Sequence, residues 1–303
     1  MCAMVSGMGL PASRPASVRL VARGRVLECS GRPLVMGIVN VNDDSFSGDG
    51  TLDFEAAWAM ADQHYRDGAD LIDVGAESAR TNREAVSVEE EVRRLRGFMR
   101  LWRERSGGWR PRFADQVASP WLSLNTWRPE VVAAVLPEGG DLLNDIGALP
   151  DDRNARLCAA HGAALLIMHS VGQPKHAHTH VGYEDVVSTV TDFFTEKIAM
   201  CQAAGLPLEA LLLDPGLDFA KQREDNLRLV AGLEALACFG RPLLMPVSRK
   251  TFIGETLGLP HPVDRDAGTI GVLVASQWRG ASIFRVHQVR AAAEAVRVVA
   301  ACA

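Results

Sequence analysis

Eight short apolar runs, each followed by a segment of helical periodicity, constrain this sequence more than any other feature. The runs are nearly continuous in Leu, Ile and Val and are bounded by turn residues, as expected of strands that are buried on both faces. Eight such strand and helix units in succession are typical of a closed (β/α)₈ TIM barrel and not of an open doubly wound sheet. We therefore predict a TIM barrel.

The predicted strands are Leu34–Val41, Leu71–Glu77, Trp121–Trp127, Leu142–Gly147, Ala164–Ser170, Leu211–Gly216, Pro242–Arg249 and Ser282–His287. The predicted helices are Phe54–Asp67, Val88–Arg105, Pro129–Pro137, Asp152–His161, Tyr183–Ala204, Arg223–Ala237, Asp264–Trp278 and Val289–Ala301.

Two segments precede the barrel. Val18–Cys29 has an Arg-Gly pair between two strand-like stretches, which predicts a β-hairpin that could plug the bottom of the barrel. Residues 1–17 are small and proline-containing, which predicts a flexible tail, and they lack the basic start and apolar run of a secretory signal. We predict this tail followed by one barrel domain, residues 18–303.

Composition excludes several classes of partner. The chain has 32 Lys and Arg against 37 Asp and Glu, a net charge of −5, so it lacks the basic excess that binds nucleic acid or an anionic membrane. Its apolar stretches are shorter than the roughly 18 residues of a membrane span. The six cysteines are scattered, which indicates reduced thiols. We expect a cytoplasmic protein with small-molecule ligands.

Polar residues end every predicted strand, and barrel enzymes carry their chemistry at this end. One polar strand end is about as often a helix cap or a satisfied core group, but eight together predict a pocket. The residues are Asn40, Asp73, Glu77, Asn125, Asn144, Asp145, His169, Asp214, Ser248, Arg249, Lys250, Arg285 and His287.

Two parts of this pocket differ in chemistry. The last two strands supply a cluster of cationic side chains, where barrels often bind phosphate, which predicts a phosphorylated substrate. Across the barrel, Asn125, Asn144 and Asp214 offer amides and a carboxylate, which suit a flat heterocycle with several N–H groups and a carbonyl.

The segments that hold these residues resemble the dihydropteroate synthase family from Leu34 to about Arg297. The matching motifs are Met36–Ser47, Gly68–Arg80, Asn144–Ile146, Leu213–Lys221, Val247–Gly254 and Arg285–His287. The resemblance implies condensation of 6-hydroxymethyl-7,8-dihydropterin diphosphate with 4-aminobenzoate, which gives 7,8-dihydropteroate and diphosphate. It also implies Mg²⁺ as cofactor and a homodimer.

The resemblance also implies a role for each matching residue. The expected pterin ligands are Asn125, Asn144, Met168, Asp214, Phe219 and Lys250, and the expected diphosphate ligands are Asn40, Arg80, Arg285 and His287. Asn40 is also expected to bind Mg²⁺. The residues expected at the aminobenzoate are Phe46, Ser248, Arg249 and Thr251, and those expected to carry catalysis are Lys250, Asp214, Arg285 and His287.

Several positions depart from the family pattern. Asn125 replaces an aspartate with a neutral amide that has two donors, which predicts slower turnover, since an amide stabilises positive charge on the pterin less than a carboxylate does. Ala79 and Thr81 replace Thr and Pro beside the expected aminobenzoate site, and Asp218 and Ala220 replace glycines.

These departures keep other hypotheses open. One is a non-catalytic paralogue that binds a pterin or a partner protein, and another is a relative that uses a different amine acceptor. A barrel that delivers a methyl group to a corrinoid protein would explain the pterin residues but not the cationic cluster. His176, His178 and His180 could form a metal site, but solvated loop histidines are the favoured interpretation.

Overall fold

A computed structural model describes residues 18–29, 31–42, 50–78, 84–172, 174–176 and 181–302, so the predicted tail lies outside the described residues. The strands are β1 (Arg19–Ala22), β2 (Arg25–Glu28), β3 (Leu34–Asn40), β4 (Leu71–Gly75), β5 (Trp121–Asn125), β6 (Leu142–Asp145), β7 (Ala164–Met168), β8 (Leu211–Asp214), β9 (Leu244–Met245) and β10 (Ile283–Val286). The α-helices are α1 (Phe54–Asp67), α2 (Val88–Arg105), α3 (Pro129–Val135), α4 (Arg153–His161), α5 (Val186–Ala203), α6 (Arg223–Ala231), α7 (Thr251–Leu257), α8 (Asp266–Gln277) and α9 (Val289–Ala301).

Strands β3 to β10 form one parallel sheet in the order β8-β7-β6-β5-β4-β3-β10-β9. A further parallel bridge joins Leu213 on β8 to Leu243, next to β9, so the sheet closes on itself. Helices follow the strands and cover the outside of this barrel. The predicted TIM-barrel class is confirmed.

The alternation of side chains along each strand separates two apolar layers. One residue set faces outward and packs against the helices, as Val35 and Val39 of β3 do. The other set faces the barrel interior. Its apolar members, which include Met36, Leu71 and Trp121, pack together in the lower half of the barrel. Towards the carboxyl ends of the strands the interior residues become polar.

The N-terminal hairpin of β1 and β2 is present as predicted. Its turn residues Arg23 and Gly24 both have positive φ, 50° and 72°, as a two-residue hairpin turn requires. Leu20 and Leu27 are buried and belong to the same apolar cluster as the lower barrel interior. The Arg23 side chain donates to the carbonyl of Gly140 at 2.7 Å, which fixes the hairpin to the barrel.

The main differences from the predicted elements lie around β9. Within the predicted strand Pro242–Arg249, only Leu244–Met245 forms a regular strand, next to the single bridge at Leu243, and the unpredicted helix α7 begins at Thr251. Arg249 has a left-handed φ of 56°, a conformation that ends an extended strand and turns the chain. The sixth predicted helix is also shorter, since α6 stops at Ala231 and a 3₁₀ segment follows.

The other barrel strands occur where predicted but end one or two residues early. Polar residues such as Glu77 and His169 therefore lie in the loops above the sheet. Within the described part of the chain, every helix is too short or too polar to cross a membrane.

Candidate active site

A cavity of about 260 Å³ opens at the carboxyl ends of the barrel strands. Eleven of the residues expected at the site line it: Asn40, Asn125, Asn144, Met168, Asp214, Phe219, Arg249, Lys250, Thr251, Arg285 and His287. Ser248 is buried directly behind and contacts His287. Phe46 and Arg80, together with the substituted positions Ala79 and Thr81, lie outside the described residues.

Asp73 of β4 is the hydrogen-bonding centre of this cavity, and its carboxylate is completely buried. It accepts from the Ser123 hydroxyl at 2.5 Å, from Asn125 Nδ2 at 3.2 Å and from Asn144 Nδ2 at 3.2 Å. Arg285 Nε donates to Asp73 Oδ2 at 2.8 Å in an ion pair. Four strands are therefore joined through one carboxylate.

Asp73 is the residue that the sequence reasoning missed among the expected ligands, although it was noted at a strand end. A signal for it exists in the sequence. Asp73 shares the inward-facing alternation of its strand with Leu71, in a run that is otherwise apolar. A carboxylate at such a position needs a buried partner, which Arg285 supplies.

The Asp73 network orients two amides. Because Asn125 and Asn144 turn their NH₂ groups to Asp73, their Oδ1 atoms are left buried, with no hydrogen-bond partner among the described residues. Both residues line the cavity, so a ligand with N–H donors can supply the missing partners. The amide donor predicted for Asn125 is directed at Asp73, which leaves its buried Oδ1 as the atom that can accept from a ligand.

Asp214 adds a carboxylate to the same side of the cavity. Its Oδ1 accepts from the Gly216 N–H at 2.7 Å. Burial raises the pKa of Asp214 to about 6, against the smaller opposing effects of the Gly216 hydrogen bond and of Lys250. The group is thus a carboxylate at neutral pH, able to accept two adjacent donors of a planar ring.

Lys250 and Phe219 form one wall. Lys250 Nζ donates to the Leu217 carbonyl at 2.7 Å and lies 4.9 Å from the centroid of the Phe219 ring. Burial lowers the pKa of Lys250. The wall therefore combines a flat apolar face with a fixed ammonium group.

The loop after β8 is fixed from below by a buried lysine. Lys221 Nζ donates to the carbonyls of Gly216 and Phe219, both at 3.0 Å, and lies 2.8 Å from His169 Nδ1. Burial lowers the pKa of Lys221 to about 7, while burial and then the charge of Lys221 lower that of His169 to about 3. A neutral His169 accepts the lysine hydrogen bond, so Phe219 is held in place.

The opposite side of the cavity is cationic. Arg285 uses Nε for Asp73, and among the described residues its terminal NH₂ groups have no protein acceptor, so they are available to an anion. The Ser248 hydroxyl lies 2.8 Å from His287 Nδ1 and orients that ring. Asn40 ends β3, the strand that pairs with β10, and therefore lies beside Arg285 and His287.

The Arg249 side chain binds α8. Its guanidinium makes an ion pair with Asp266 at the start of α8, at 2.8 Å and 3.1 Å. It lines the cavity edge while its charge is already compensated.

Glu77 connects the loops above the barrel. Its carboxylate accepts from the Val86 N–H at 3.1 Å and makes ion pairs with Arg128 at 3.0 Å and Lys175 at 3.2 Å. These three partners belong to the loops after β4, β5 and β7. His176 next to Lys175 is exposed, whereas His178 and His180 lie outside the described residues.

Comparison with known proteins identifies this arrangement. The family described as pterin binding enzyme matches residues 36–287. Dihydropteroate synthase of Escherichia coli (strain K12) is 37% identical over 285 residues, which cover 94% of this chain and 96% of the relative. The enzyme of Neisseria meningitidis serogroup C is 37% identical over 271 residues, which cover 88% of this chain and 91% of the relative.

Solved structures agree. Yersinia pestis dihydropteroate synthase in a sulfonamide drug complex superimposes with a TM-score of 0.84 at 36% identity, over 94% of this chain and 98% of that one. The Xanthomonas albilineans enzyme with 4-aminobenzoic acid gives 0.81 at 36% identity, over 95% and 98%. The chain therefore belongs to the dihydropteroate synthase family, the pterin-binding transferases of folate biosynthesis.

Proposed function

We propose that this chain condenses 6-hydroxymethyl-7,8-dihydropterin diphosphate with 4-aminobenzoate to form 7,8-dihydropteroate and diphosphate. The observation that carries this proposal is the division of one cavity into two halves. One half has a carboxylate and two amide oxygens with no hydrogen-bond partner in the described part of the chain, and the other has the Arg285 guanidinium and an oriented imidazole.

For the pterin half, we propose Asn125, Asn144, Asp214 and Lys250 as ligands, with Phe219 and Met168 against the ring. The ring edge of a pterin carries amino and lactam N–H donors, which match the amide oxygens and the Asp214 carboxylate. Lys250 supplies a donor for ring acceptors. Asp73 positions both amides.

For the diphosphate half, we propose Arg285, His287 and Asn40, with Arg80 as a further ligand. Mg²⁺ is commonly bound by one or two protein oxygens together with substrate phosphates. The side-chain oxygen of Asn40 is a ligand of this kind, and Asn40 lies beside Arg285 and His287. Asn40 would hold the metal, which would neutralise charge on the diphosphate as it leaves.

The position of Arg285 and His287 at the leaving diphosphate favours the reaction. Breaking the C–O bond accumulates negative charge on diphosphate, which Arg285 and His287 stabilise, and leaves the pterin methylene electron-poor. The arylamine nitrogen then attacks this carbon and loses its proton. A ring held flat and close to the amine removes the need for a covalent nucleophile.

For the arylamine, we propose Phe46, Ser248, Arg249 and Thr251 as ligands. We also propose that the enzyme acts in the cytoplasm as a homodimer, which fractionation and sedimentation would test.

The direct test is dihydropteroate formation by purified protein with Mg²⁺, the pterin diphosphate and 4-aminobenzoate. We expect product that contains both substrates, with stoichiometric diphosphate release. A protein that binds the pterin diphosphate without turnover would be the non-catalytic paralogue, and turnover with another amine alone would indicate a different acceptor.

Pterin binding is expected to weaken in acid. Since the pKa of Asp214 is raised to about 6, the carboxylate is protonated as the pH falls through that value and loses its acceptor pair. Affinity should fall by about tenfold for each pH unit below about 6. Titration of a pterin without diphosphate from pH 8 to pH 5 measures this, and the Asp214→Asn variant should show no such step.

Asn125→Asp is expected to raise kcat at alkaline pH. A carboxylate at this position stabilises positive charge on the pterin better than an amide does. The new carboxylate would also lie near Asp73 Oδ2, which is 3.2 Å from Asn125 Nδ2 in the wild type. Repulsion between the two carboxylates raises the pKa of the pair, so the gain in kcat is lost at acidic pH. The pH profile of kcat for both proteins measures this, and a variant slower at every pH would contradict it.

A further inference from the structure

Ser248 and His287 lie side by side because they follow two neighbouring parallel strands, β9 and β10. The strand register pairs Leu244 with Ile283, and the same offset brings Ser248 level with His287. The Ser248 hydroxyl oxygen lies 2.8 Å from His287 Nδ1 and accepts from the His287 backbone N–H at 3.1 Å. One hydroxyl therefore binds both the backbone and the ring of His287.

The position of Ser248 is itself fixed by its surroundings. The next residue, Arg249, has a left-handed φ of 56°, and its N–H donates to Thr269 Oγ1 at 3.0 Å. The Arg249 carbonyl accepts from Arg265 Nη1 at 3.1 Å. Ser248 is only 4% exposed, so its hydroxyl is shielded from water. The His287 ring is thus set against a hydroxyl that cannot easily turn elsewhere.

This geometry decides which ring nitrogen of His287 carries the proton. A serine hydroxyl has a single proton, and Nδ1 is its only acceptor among the described residues. If a neutral ring carried its proton on Nδ1, the buried Ser248 hydroxyl would lose that acceptor, which costs free energy. The neutral ring therefore accepts at Nδ1 and carries its proton on Nε2. In the imidazolium, Nδ1–H donates to the hydroxyl oxygen, and Nε2 keeps its proton.

His287 lines the cavity together with Arg285 and Asn40, in the half that is proposed to bind diphosphate. Arg285 brings a positive charge to this half, although it also pairs with Asp73. Because Nε2 is protonated in both states of the ring, His287 is an N–H donor whether or not it is charged. We propose that Ser248 is a positioning residue that holds His287 in this donor form for the diphosphate. This inference rests on the proposed function, since it takes His287 as a diphosphate ligand.

Nitrogen-15 NMR of the histidine-labelled protein without ligand tests the position of the proton. The chain has eight histidines, and the signals of His287 are those missing from the spectrum of His287→Ala. Above pH 8, where an ordinary histidine is neutral, we expect an unprotonated Nδ1 and a protonated Nε2. A proton on Nδ1 in the neutral ring would overturn the inference.

Ser248→Ala tests the effect on the anion. The substitution removes the hydroxyl and both of its bonds to His287, so the ring loses its orientation. We expect the Kd for diphosphate in Mg²⁺ to rise by about fivefold, the effect of roughly one hydrogen bond. No arylamine is present in this titration, which separates this role from the proposed contact of Ser248 with the arylamine. An unchanged Kd would contradict the positioning role.

The double variant Ser248→Ala/His287→Ala shows whether Ser248 acts through His287. We expect it to bind diphosphate no more weakly than His287→Ala alone, since the ring that Ser248 orients is already absent. A further loss of affinity in the double variant would mean that Ser248 acts on the anion by another route, and the inference would then be wrong.

Ser276→Ala is the matched control. Ser276 on α8 is fully buried, and its hydroxyl has no hydrogen-bond partner in the described part of the chain, so the same group is removed away from the cavity. The Kd for diphosphate should not change. If the protein makes no dihydropteroate, the proposed function fails, whereas the proton position and the diphosphate Kd still decide the role of Ser248.

Discussion

Asp214→Asn is expected to remove most pterin affinity while diphosphate affinity changes by less than about twofold. The substitution is nearly isosteric, and its amide oxygen can still accept from the Gly216 N–H that Asp214 now binds at 2.7 Å. The substitution removes a buried negative charge that we propose faces two N–H donors of the pterin ring, and one of these donors would meet an amide N–H instead. Losing charge-assisted hydrogen bonds of this kind costs on the order of 1.5–3 kcal/mol each.

Calorimetric titration with a pterin that lacks diphosphate, and separately with diphosphate in Mg²⁺, measures the two halves of the site. Thermal unfolding of the variant is the control. Equal losses of both affinities with a lowered Tm would indicate a folding defect and would contradict the assignment of Asp214 to the pterin half.

Arg285→Gln is expected to have the second large effect, a loss of diphosphate affinity of about 2–5 kcal/mol in Mg²⁺. Arg285 is proposed to bind the leaving group through its terminal NH₂ groups while its Nε holds Asp73 at 2.8 Å. Glutamine is chosen because its amide N–H can still donate to the buried Asp73, whereas alanine would remove this hydrogen bond as well as the positive charge.

Arg285→Ala should therefore be less stable than Arg285→Gln by a measurable shift in Tm, although both bind diphosphate weakly. Omitting Mg²⁺ should weaken diphosphate binding to wild type as well. Unchanged diphosphate affinity in Arg285→Gln would mean that the anion binds elsewhere in the cavity.

Much of the site was predictable because it depends on local pattern. The alternation of apolar runs and helical segments indicates a barrel, and the barrel fixes the end of each strand that faces the cavity. Polar residues at those ends, such as Asn144, Asp214 and Arg285, are therefore expected in one place before any contact is known. The helices α1 and α2, which begin after the capping residues Asp53 and Ser87, were predicted with the observed bounds.

Other features depended on partners distant in the sequence. Asp73 and Arg285 are separated by 212 residues, and only their meeting inside the barrel makes Asp73 the centre of the network. The direction of the Asn125 and Asn144 amides follows from that centre, since a carboxylate orients the NH₂ groups towards itself.

The sequence by itself determined the barrel, the hairpin at its base and the set of polar residues at its upper end, because periodicity and strand order are properties of successive residues. The tertiary structure decided how those residues are used. Asp218 caps α7, Arg249 turns to Asp266, and β9 pairs over only two residues. Each of these depends on which donor lies nearest to which acceptor, and that distance is set only when the strands close into the barrel.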